Sequence, residues 1–413
     1  MTLHLTTDIA IIGAGVIGLA IAERLLAEGR EVVLVDPNPP GMGASYGNAG
    51  TIADYAVSPV GTPDVLWNLP SLLFSRTSPL AIRHAALPSL LPWLLRFVRQ
   101  SFPGPARHNA VAIAALLKDA GPLWEELALR VAGVGILQRR GCLYLYETLS
   151  AFRAAEAEMA ARRDLGVTVE LIGPEALAEM EPGLPPGQAG AAFFPEARFL
   201  SDPGRFVALL AALALEKATL IPSRAERLTR RLDGVLVEGP GMHLHARRVV
   251  IAAGAHSRAL ALQAGDRVPL DTERGYHVEW DMPAPRLTRP VCPTSRGFYL
   301  CPMEGRLRVA GTVELGGLHL PPSPHRIRKL IDGARAIFPD LGEPDRDWMG
   351  FRPSLPDSLP VIGPSRGGPE VVHAFGHGHL GLTMAPITAL IVADLLAGRL
   401  PDRGIAAYRP DRF

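Results

Sequence analysis

The chain has 413 residues, 48% of them hydrophobic and 20% charged, with 42 basic against 41 acidic side chains. That length exceeds one simple core and predicts about two domains of ordinary size, and a formal net charge of +1 leaves no global field to attract nucleic acid or strongly acidic partners. Cys142, Cys292 and Cys301 show no CxxC spacing and read as reduced thiols packed as small core residues.

In chain order, Asp8–Pro37 comes first and reads as a strand, a glycine turn, a helix over Val16–Glu28 ended by Gly29, and a second buried strand at Val32–Val35. The turn spells GxGxxG at Gly13, Gly15 and Gly18, with Val16 and Ile17 inside it. Gly13 permits the tight bend, Gly15 lets a pyrophosphate approach the backbone, and Gly18 lets the helix pack closely on the strands. The helix start offers N–H groups and partial positive charge to an anion. Asp36, followed by Pro37, stands where an acidic side chain meets ribose hydroxyls. The unit predicts a dinucleotide, FAD or NAD, against the alternative of a crossover with no ligand. The residues before Ile9 lack the basic and apolar pattern of a signal peptide, so a cytoplasmic location is expected.

The following loop, rich in Gly, Pro, Ser and Asn, has the composition of a ligand-holding segment. Within it, Gly43 to Gly47 fits the GxSxG of a hydrolase elbow, but no strand enters it directly and no helical period leaves it. Helices are expected over Val65–Phe74, Leu87–Gln100 and Ala106–Ala132, the last broken at Gly121-Pro122. Residues 87–100 carry an apolar stripe beside Arg96 and Arg99, readable as a packed helix or as a helix on a membrane surface. The uncharged run before Arg96 is too short and too proline-broken to cross a bilayer.

A strand at CLYLYE, a helix over Ser150–Leu165 and a capped helix over Gly204–Lys217 follow, then strands at Thr219–Ile221, Gly234–Glu238 and Val249–Ala253. The last ends in a glycine turn and adds a strand to the sheet that Ile9 begins, making the nucleotide domain discontinuous. From Val268 to Leu320 the alternation of YHVEW, GFYLCP and RLRVAGTVEL marks an antiparallel sheet with one covered face. After a helix near Ile327–Phe338, the loop GHGHLG sits between a buried strand and the apolar helix Thr383–Ala397. Its backbone N–H groups suit charge developing on a reduced flavin, whereas His377 and His379 lack the partners of a metal site. Arg352, before Pro353, offers a fork for a carboxylate or for a structural salt bridge. Tyr276 and Tyr299 supply an apolar wall and hydroxyls, or simply core.

Together with SYGNAG, VVIAAGAHS, ERGYHV, GTVELGG, GFRPSLPDSLPVIG and GHGHLGLTM, the opening unit resembles the D-amino-acid oxidase superfamily of FAD enzymes, and within it the D-amino-acid dehydrogenase branch with its D-hydroxyproline dehydrogenases. The resemblance runs in order along nearly the whole chain. It implies an α/β protein with an α+β second domain. A discontinuous Rossmann-like FAD-binding domain would span 1–55, 196–265 and 345–413, and an antiparallel-sheet substrate domain with a helical insert would span 56–195 and 266–344.

By that resemblance Gly13, Gly15, Val16, Ile17 and Gly18 hold the pyrophosphate, Asp36 and Pro37 the adenosine ribose, and Ser45, Asn48, Ala49 and Gly50 flank the flavin. Ala225, Ala253 and Gly254 belong to the nucleotide side, and Gly378, His379, Leu380, Gly381, Leu382 and Thr383 to the pyrimidine edge. Arg352 matches the arginine that grips the substrate carboxylate, Tyr299 a tyrosine that assists it, and Tyr276 passes near the flavin. The implied reaction is oxidation of a D-amino acid or cyclic D-imino acid by hydride transfer to flavin N5, with no residue assigned as catalytic acid or base and no metal. Electrons would pass to a quinone, another acceptor or oxygen. Sarcosine-oxidase relatives attach flavin to a late cysteine, but none follows Cys301, so the expected FAD is noncovalent. The alternatives are a glycine or sarcosine-type oxidase releasing peroxide, an NAD-linked dehydrogenase, and a flavin-binding structural or sensor protein.

Overall fold

The opening strand Leu3–Ile12 is buried from Ile9 onward, and it leads through the glycine turn into the helix Val16–Ala27 and the fully buried strand Val32–Val35. The computed structural model describes residues 3–67 and 80–413. At the turn the two packing glycines leave no room for a side chain. Gly13 has φ +109° and a Cβ there would lie 2.4 Å from Ala252 O, while a Cβ at Gly18 would lie 1.9 Å from Gly13 O.

These strands form the middle of an 8-stranded sheet. Thr219–Ile221, Val32–Val35, Leu3–Ile12, Met242–Ile251 and Gly368–Phe375 pair in parallel, and antiparallel hairpins finish the edges. A parallel sheet must be covered on both faces, and here separate apolar clusters do so. One face is closed by Val16–Ala27 packed on Gly381–Leu396. The stretch Gly378–Leu396 is long and apolar enough to cross a membrane, but 72% of its apolar window is buried inside the protein, as for a core helix.

The alternating segments build a 9-stranded, mostly antiparallel sheet. Asp271–Asp281, Arg306–Leu315 and Phe298–Met303 lie side by side, followed by Val291–Pro293, Cys142–Tyr146 and Gly190–Phe194. Tyr276, Val278, Leu300 and Val309 point to one face and pack with Leu330 and Ala334 of the helix Pro324–Arg335. Alternation sends His277, Tyr299 and Ala310 to the other face. The strand Arg346–Ser354 pairs with Asp271–Asp281 along its whole length, so residues expected with the nucleotide segments extend this second sheet.

Of the expected helices, Leu87–Gln100 occurs as written. Its inner side buries Leu90, Trp93 and Phe97, while Leu91 and Leu95 on the outer side remain 55% and 64% exposed. The break expected at Gly121-Pro122 falls earlier. Helices Pro103–Leu117 and Ala120–Arg130 meet at Lys118-Asp119, and Pro122 sits in a first turn, where no N–H donor is needed. The helix expected over Val65–Phe74 lies largely outside the described residues.

Gly18→Ala is expected to destabilise the fold by at least the ~1–3 kcal/mol typical of overpacking, because the blocking atom belongs to backbone. A melting temperature equal to the wild type's would refute that close approach.

Candidate active site

A cavity of about 1360 Å³ runs between the two sheets. Pockets for single drug-sized ligands occupy ~300–1,000 Å³, so this one has room for an extended cofactor and a further small molecule. At one end it is lined by Gly13, Gly15, Val16, Ile17, Asp36, Pro37, Ala225, Ala253 and Gly254. A Cβ at Gly15 would meet only Ser45 Oγ, at 3.5 Å, so its backbone is open to the cavity. Gly18 is not on the lining and serves the packing just described. The Asp36 carboxylate accepts from Ala14 N at 2.8 Å and from Asn38 N at 2.9 Å, so the turn itself orients it. One donor of the helix start is already engaged, since Val16 N donates to Ser45 Oγ at 2.9 Å. Ser45 thus ties the loop to the helix and does not stand on a hydrolase elbow.

The same loop is held from the opposite side by the second sheet. Arg308 Nη1 donates to the carbonyls of Tyr46 at 3.2 Å and Asn48 at 2.5 Å, and the His277 ring nitrogen Nδ1 lies 3.1 Å from the carbonyl of Gly47. Behind Arg308 stands Glu279, which also takes Arg306 and Arg346. Burial by itself would raise the Glu279 carboxyl, but these guanidinium groups hold it at about 2. Burial and the neighbouring Arg308 push His277 down to about 4, so it is neutral near pH 7 and its Nδ1–H serves as the donor to Gly47. Trp348 stacks on His277 at 5.2 Å and occupies the space that a side chain at Gly47 would need. Asn48 and Ala49 line the cavity, whereas Gly50, with φ +76°, turns the chain away from it.

Facing this loop, Gly378, His379, Leu380, Gly381 and Leu382 line the cavity at a short 3₁₀ turn that opens the helix Gly381–Leu396. Thr383 does not line it, and its hydroxyl accepts from Ala53 N at 2.9 Å. Trp124 Nε1 anchors the turn from behind through Leu382 O at 3.1 Å. His377 is buried against Thr388 Oγ1 at 3.0 Å, and burial lowers it to about 3. Among the described residues no group of three or more His, Cys, Asp or Glu side chains is arranged to hold a metal ion.

Arg352 also lines the cavity and donates from Nη1 to Thr312 O at 2.9 Å. No carboxylate pairs with it within 4.0 Å among the described residues. Its guanidinium lies over Gly275, where a Cβ would come within 2.4 Å of Cζ. Burial lowers its pKa, and the charge of Glu273 opposes that shift. Tyr299 also lines the cavity, with its hydroxyl 3.2 Å from that of Tyr144 and 3.3 Å from that of Tyr55. Burial raises the pKa of each of the three phenols, so all stay neutral. Tyr276 differs from the sequence expectation. Its ring faces the covered side of the sheet, and its hydroxyl donates to Glu314 at 3.0 Å and accepts from Ser323 N at 3.0 Å. It borders the cavity without presenting that hydroxyl to it.

Residues not anticipated from the sequence include Tyr144, Glu158, Arg162, Cys292 and Thr312, all on the lining. Of these only Thr312, inside GTVELGG, belonged to a recognised motif. The Oγ1 atoms of Thr51 and Thr312, both on the lining, are buried without a hydrogen-bond partner.

A glycine turn open at Gly15, an acid oriented by that turn on the cavity lining, and orphan hydroxyls along the same cavity fit a dinucleotide such as FAD. The family comparison agrees. Residues 8–395 match the model described as DAO, FAD dependent oxidoreductase, and the chain belongs to that family of FAD-dependent enzymes. It is similar to a D-amino-acid oxidase from Bradyrhizobium diazoefficiens, 35% identical and covering 98% of this chain and 98% of that protein. It is also similar to a D-amino acid dehydrogenase from Dechloromonas aromatica, 32% identical over 95% of this chain and 98% of that protein. Among solved structures, glycine oxidase from Geobacillus kaustophilus aligns with a TM-score of 0.77 at 26% identity, covering 99% of both chains.

His277 gives a pH signature. A depressed histidine contributes stability that is fully present above the ordinary value of 6.5 and is lost as pH falls toward about 4. His277→Asn keeps a donor for Gly47 but cannot titrate, and is expected to flatten the decline in denaturation midpoint across that window. An unchanged pH profile would remove the assignment.

Proposed function

We propose that the protein oxidises D-amino acids or cyclic D-imino acids of the proline and hydroxyproline type at Cα, with FAD as the hydride acceptor. The observation that carries this reading is Arg352, a cation with no carboxylate partner within 4.0 Å among the described residues, on the lining of the same cavity as the nucleotide turn. The substrate classes in the names of the oxidase and dehydrogenase relatives support it. Residues 1–55, 196–265 and 345–413 are assigned to FAD binding and 56–195 and 266–344 to the substrate side, with Arg346–Ser354 carrying Arg352 across onto the substrate sheet.

On this reading Gly13, Gly15, Val16, Ile17 and Asp36 hold the pyrophosphate and ribose. Loop residues from Ser45 to Ala49 and the turn from Gly378 to Leu382 flank the flavin, and Gly50 and Thr383 fix these segments from outside the cavity. Bound FAD supplies the two-electron acceptor, renewed by a quinone, another acceptor or oxygen. Arg352 grips the substrate carboxylate through charge-assisted hydrogen bonds, and the Tyr299 hydroxyl supports that grip. The amine arrives unprotonated. Its lone pair would close the C=N bond as the Cα–H electron pair leaves as hydride, giving an iminium that water would hydrolyse to a 2-oxo acid and ammonium or that, in a ring, would lose its N–H proton to solvent and stay a cyclic imine. No side chain is needed as acid or base.

Noncovalent FAD is supported by the thiols. Burial lifts Cys142 to about 12 and raises Cys292 and Cys301, so none is a ready nucleophile for a flavin. The similarity to a glycine oxidase supports a second reading, oxidation of glycine or sarcosine with peroxide release. The cytoplasm is the assigned location, with residues 87–100 resting on the inner face of the membrane. The outer leucines Leu87, Leu91 and Leu95 beside exposed Arg96 and Arg99 support that contact.

Anaerobic bleaching of the flavin by a panel of D- and L-amino acids, with glycine and sarcosine, tests the substrate class directly. Bleaching by glycine and sarcosine alone would overturn the first reading in favour of the second. Oxygen uptake compared with reduction of an artificial quinone identifies the acceptor. Arg352→Met is expected to lower kcat/KM roughly 100-fold or more, as loss of charge-assisted hydrogen bonds dictates, while the flavin absorbance persists. Heating should release free FAD, and flavin that stays on the denatured chain would contradict noncovalent binding. Flotation with anionic vesicles, lost in Leu91→Glu, checks the membrane contact.

A further inference from the structure

Beyond Tyr299 the cavity wall carries a second arginine. Arg162 comes from the helix Leu149–Arg163, lines the same cavity as Arg352, and is 6% exposed. Its Nη1 donates to Tyr55 O at 2.7 Å, its Nη2 to Glu158 Oε1 at 2.7 Å, and its Cζ lies 5.5 Å from the Tyr144 ring. Its Nε has no partner. A guanidinium in so dry a position without a fully paired set of donors is costly. Its one carboxylate, Glu158, is 54% exposed, so water screens much of that attraction.

The two arginines lie along the same sheet, with the Tyr299 and Tyr144 hydroxyls between them. Arg352 is held at Thr312, two residues from Ala310, which pairs with Tyr299; the Tyr299 hydroxyl reaches that of Tyr144, and Arg162 lies over the Tyr144 ring. Arg306–Leu315 and Cys142–Tyr146 are three strand spacings apart, roughly 14 Å at the usual inter-strand distance. A substrate gripped at Arg352 therefore reaches the Arg162 end only with its side chain, and only if that side chain is long.

We propose that Arg162 is a specificity residue that selects substrates whose side chain ends in an oxygen acceptor, a carboxylate or carboxamide at the length of glutamate or glutamine. This inference rests on the proposed oxidation of D-amino acids. The Arg162 guanidinium donates to the acceptor, Tyr144 forms the flat wall beside it, and Glu158 tempers the preference for a full negative charge.

The test compares kcat/KM for D-glutamate, D-glutamine and D-norvaline in the wild type, in Arg162→Met and in Glu158→Gln. The wild type should favour at least one of the two oxygen-bearing substrates over D-norvaline. Arg162→Met should cut that preference about 10-fold or more, in line with loss of a hydrogen bond to a charged donor, while D-norvaline turnover and flavin absorbance hold. Glu158→Gln, at an exposed position, should shift the choice toward D-glutamate over D-glutamine. Equal losses for all three substrates in Arg162→Met would mean that Arg162 only braces Tyr55, and would overturn the proposal. So would a wild type that prefers D-norvaline. Should Arg162→Met fail to fold, an unmoved glutamate-to-glutamine ratio in Glu158→Gln decides against it. A wild type whose flavin no D-amino acid bleaches would instead sink the underlying reading of the reaction.

Discussion

Three consecutive carbonyls, those of Tyr46, Gly47 and Asn48, point at side chains of the second sheet and are taken by Arg308 and His277. The preceding residue, Ser45, points the other way and accepts from the first helix. A loop of mostly small residues has little apolar surface with which to fix itself, so these polar contacts set its shape. They also set the spacing between the two walls of the cavity. The charge behind them is concentrated: Arg308 is 1% exposed and Glu279 2%, and removing either partner of such a buried pair strands the other at a cost of several kcal/mol. The clamp is therefore stable only as a complete set, and this makes the cavity rigid where a planar ring system would have to fit.

Arg352 depends on that rigidity in another way. Its strand is laid against Asp271–Asp281 so that Arg352 pairs with Glu273, and Gly275, two residues along, clears the space its guanidinium occupies. Glu273 gives it long-range charge compensation, while Ser354 occupies one oxygen of that carboxylate and no short ion pair to Arg352 forms. The cation is thus partly desolvated and left with donor capacity. That combination favours an anion supplied from outside far more than a surface arginine would.

Much of this was legible from local sequence. The glycine turn is specified by backbone space at Gly13 and Gly18, and alternation in YHVEW and GFYLCP is a direct record of one covered sheet face. What alternation alone could not give was which face is which. Tyr276 and His277 are neighbours of opposite orientation: the tyrosine borders the cavity while its hydroxyl is taken by Glu314, and the histidine, which the sequence did not single out, holds the cavity loop at Gly47. The pairing of Arg346–Ser354 with Asp271–Asp281 joins segments more than 60 residues apart, and no local pattern encodes such a register. Arg162 was hidden for a similar reason. On its helix it reads as one more basic residue in the last turn, next to Arg163, and only the packing of that helix over Tyr144 distinguishes them.

The ionisation states of the cavity bear on how little chemistry the chain itself must perform. On the lining Tyr144 and Tyr299 are held as neutral phenols and Cys292 as a neutral thiol, and just behind it Tyr55 and Cys142 are neutral as well. Desolvation is the leading cause in each case. Asp54 is the exception, raised by burial to about 6, but it does not line the cavity. On the proposed reaction this pattern is coherent. A site that accepts hydride gains from fixed dipoles and a fixed carboxylate grip, and gains little from groups that exchange protons near neutral pH. The amine proton is then lost to solvent before the hydride leaves, and the wall of neutral hydroxyls orients the substrate without competing for its charge.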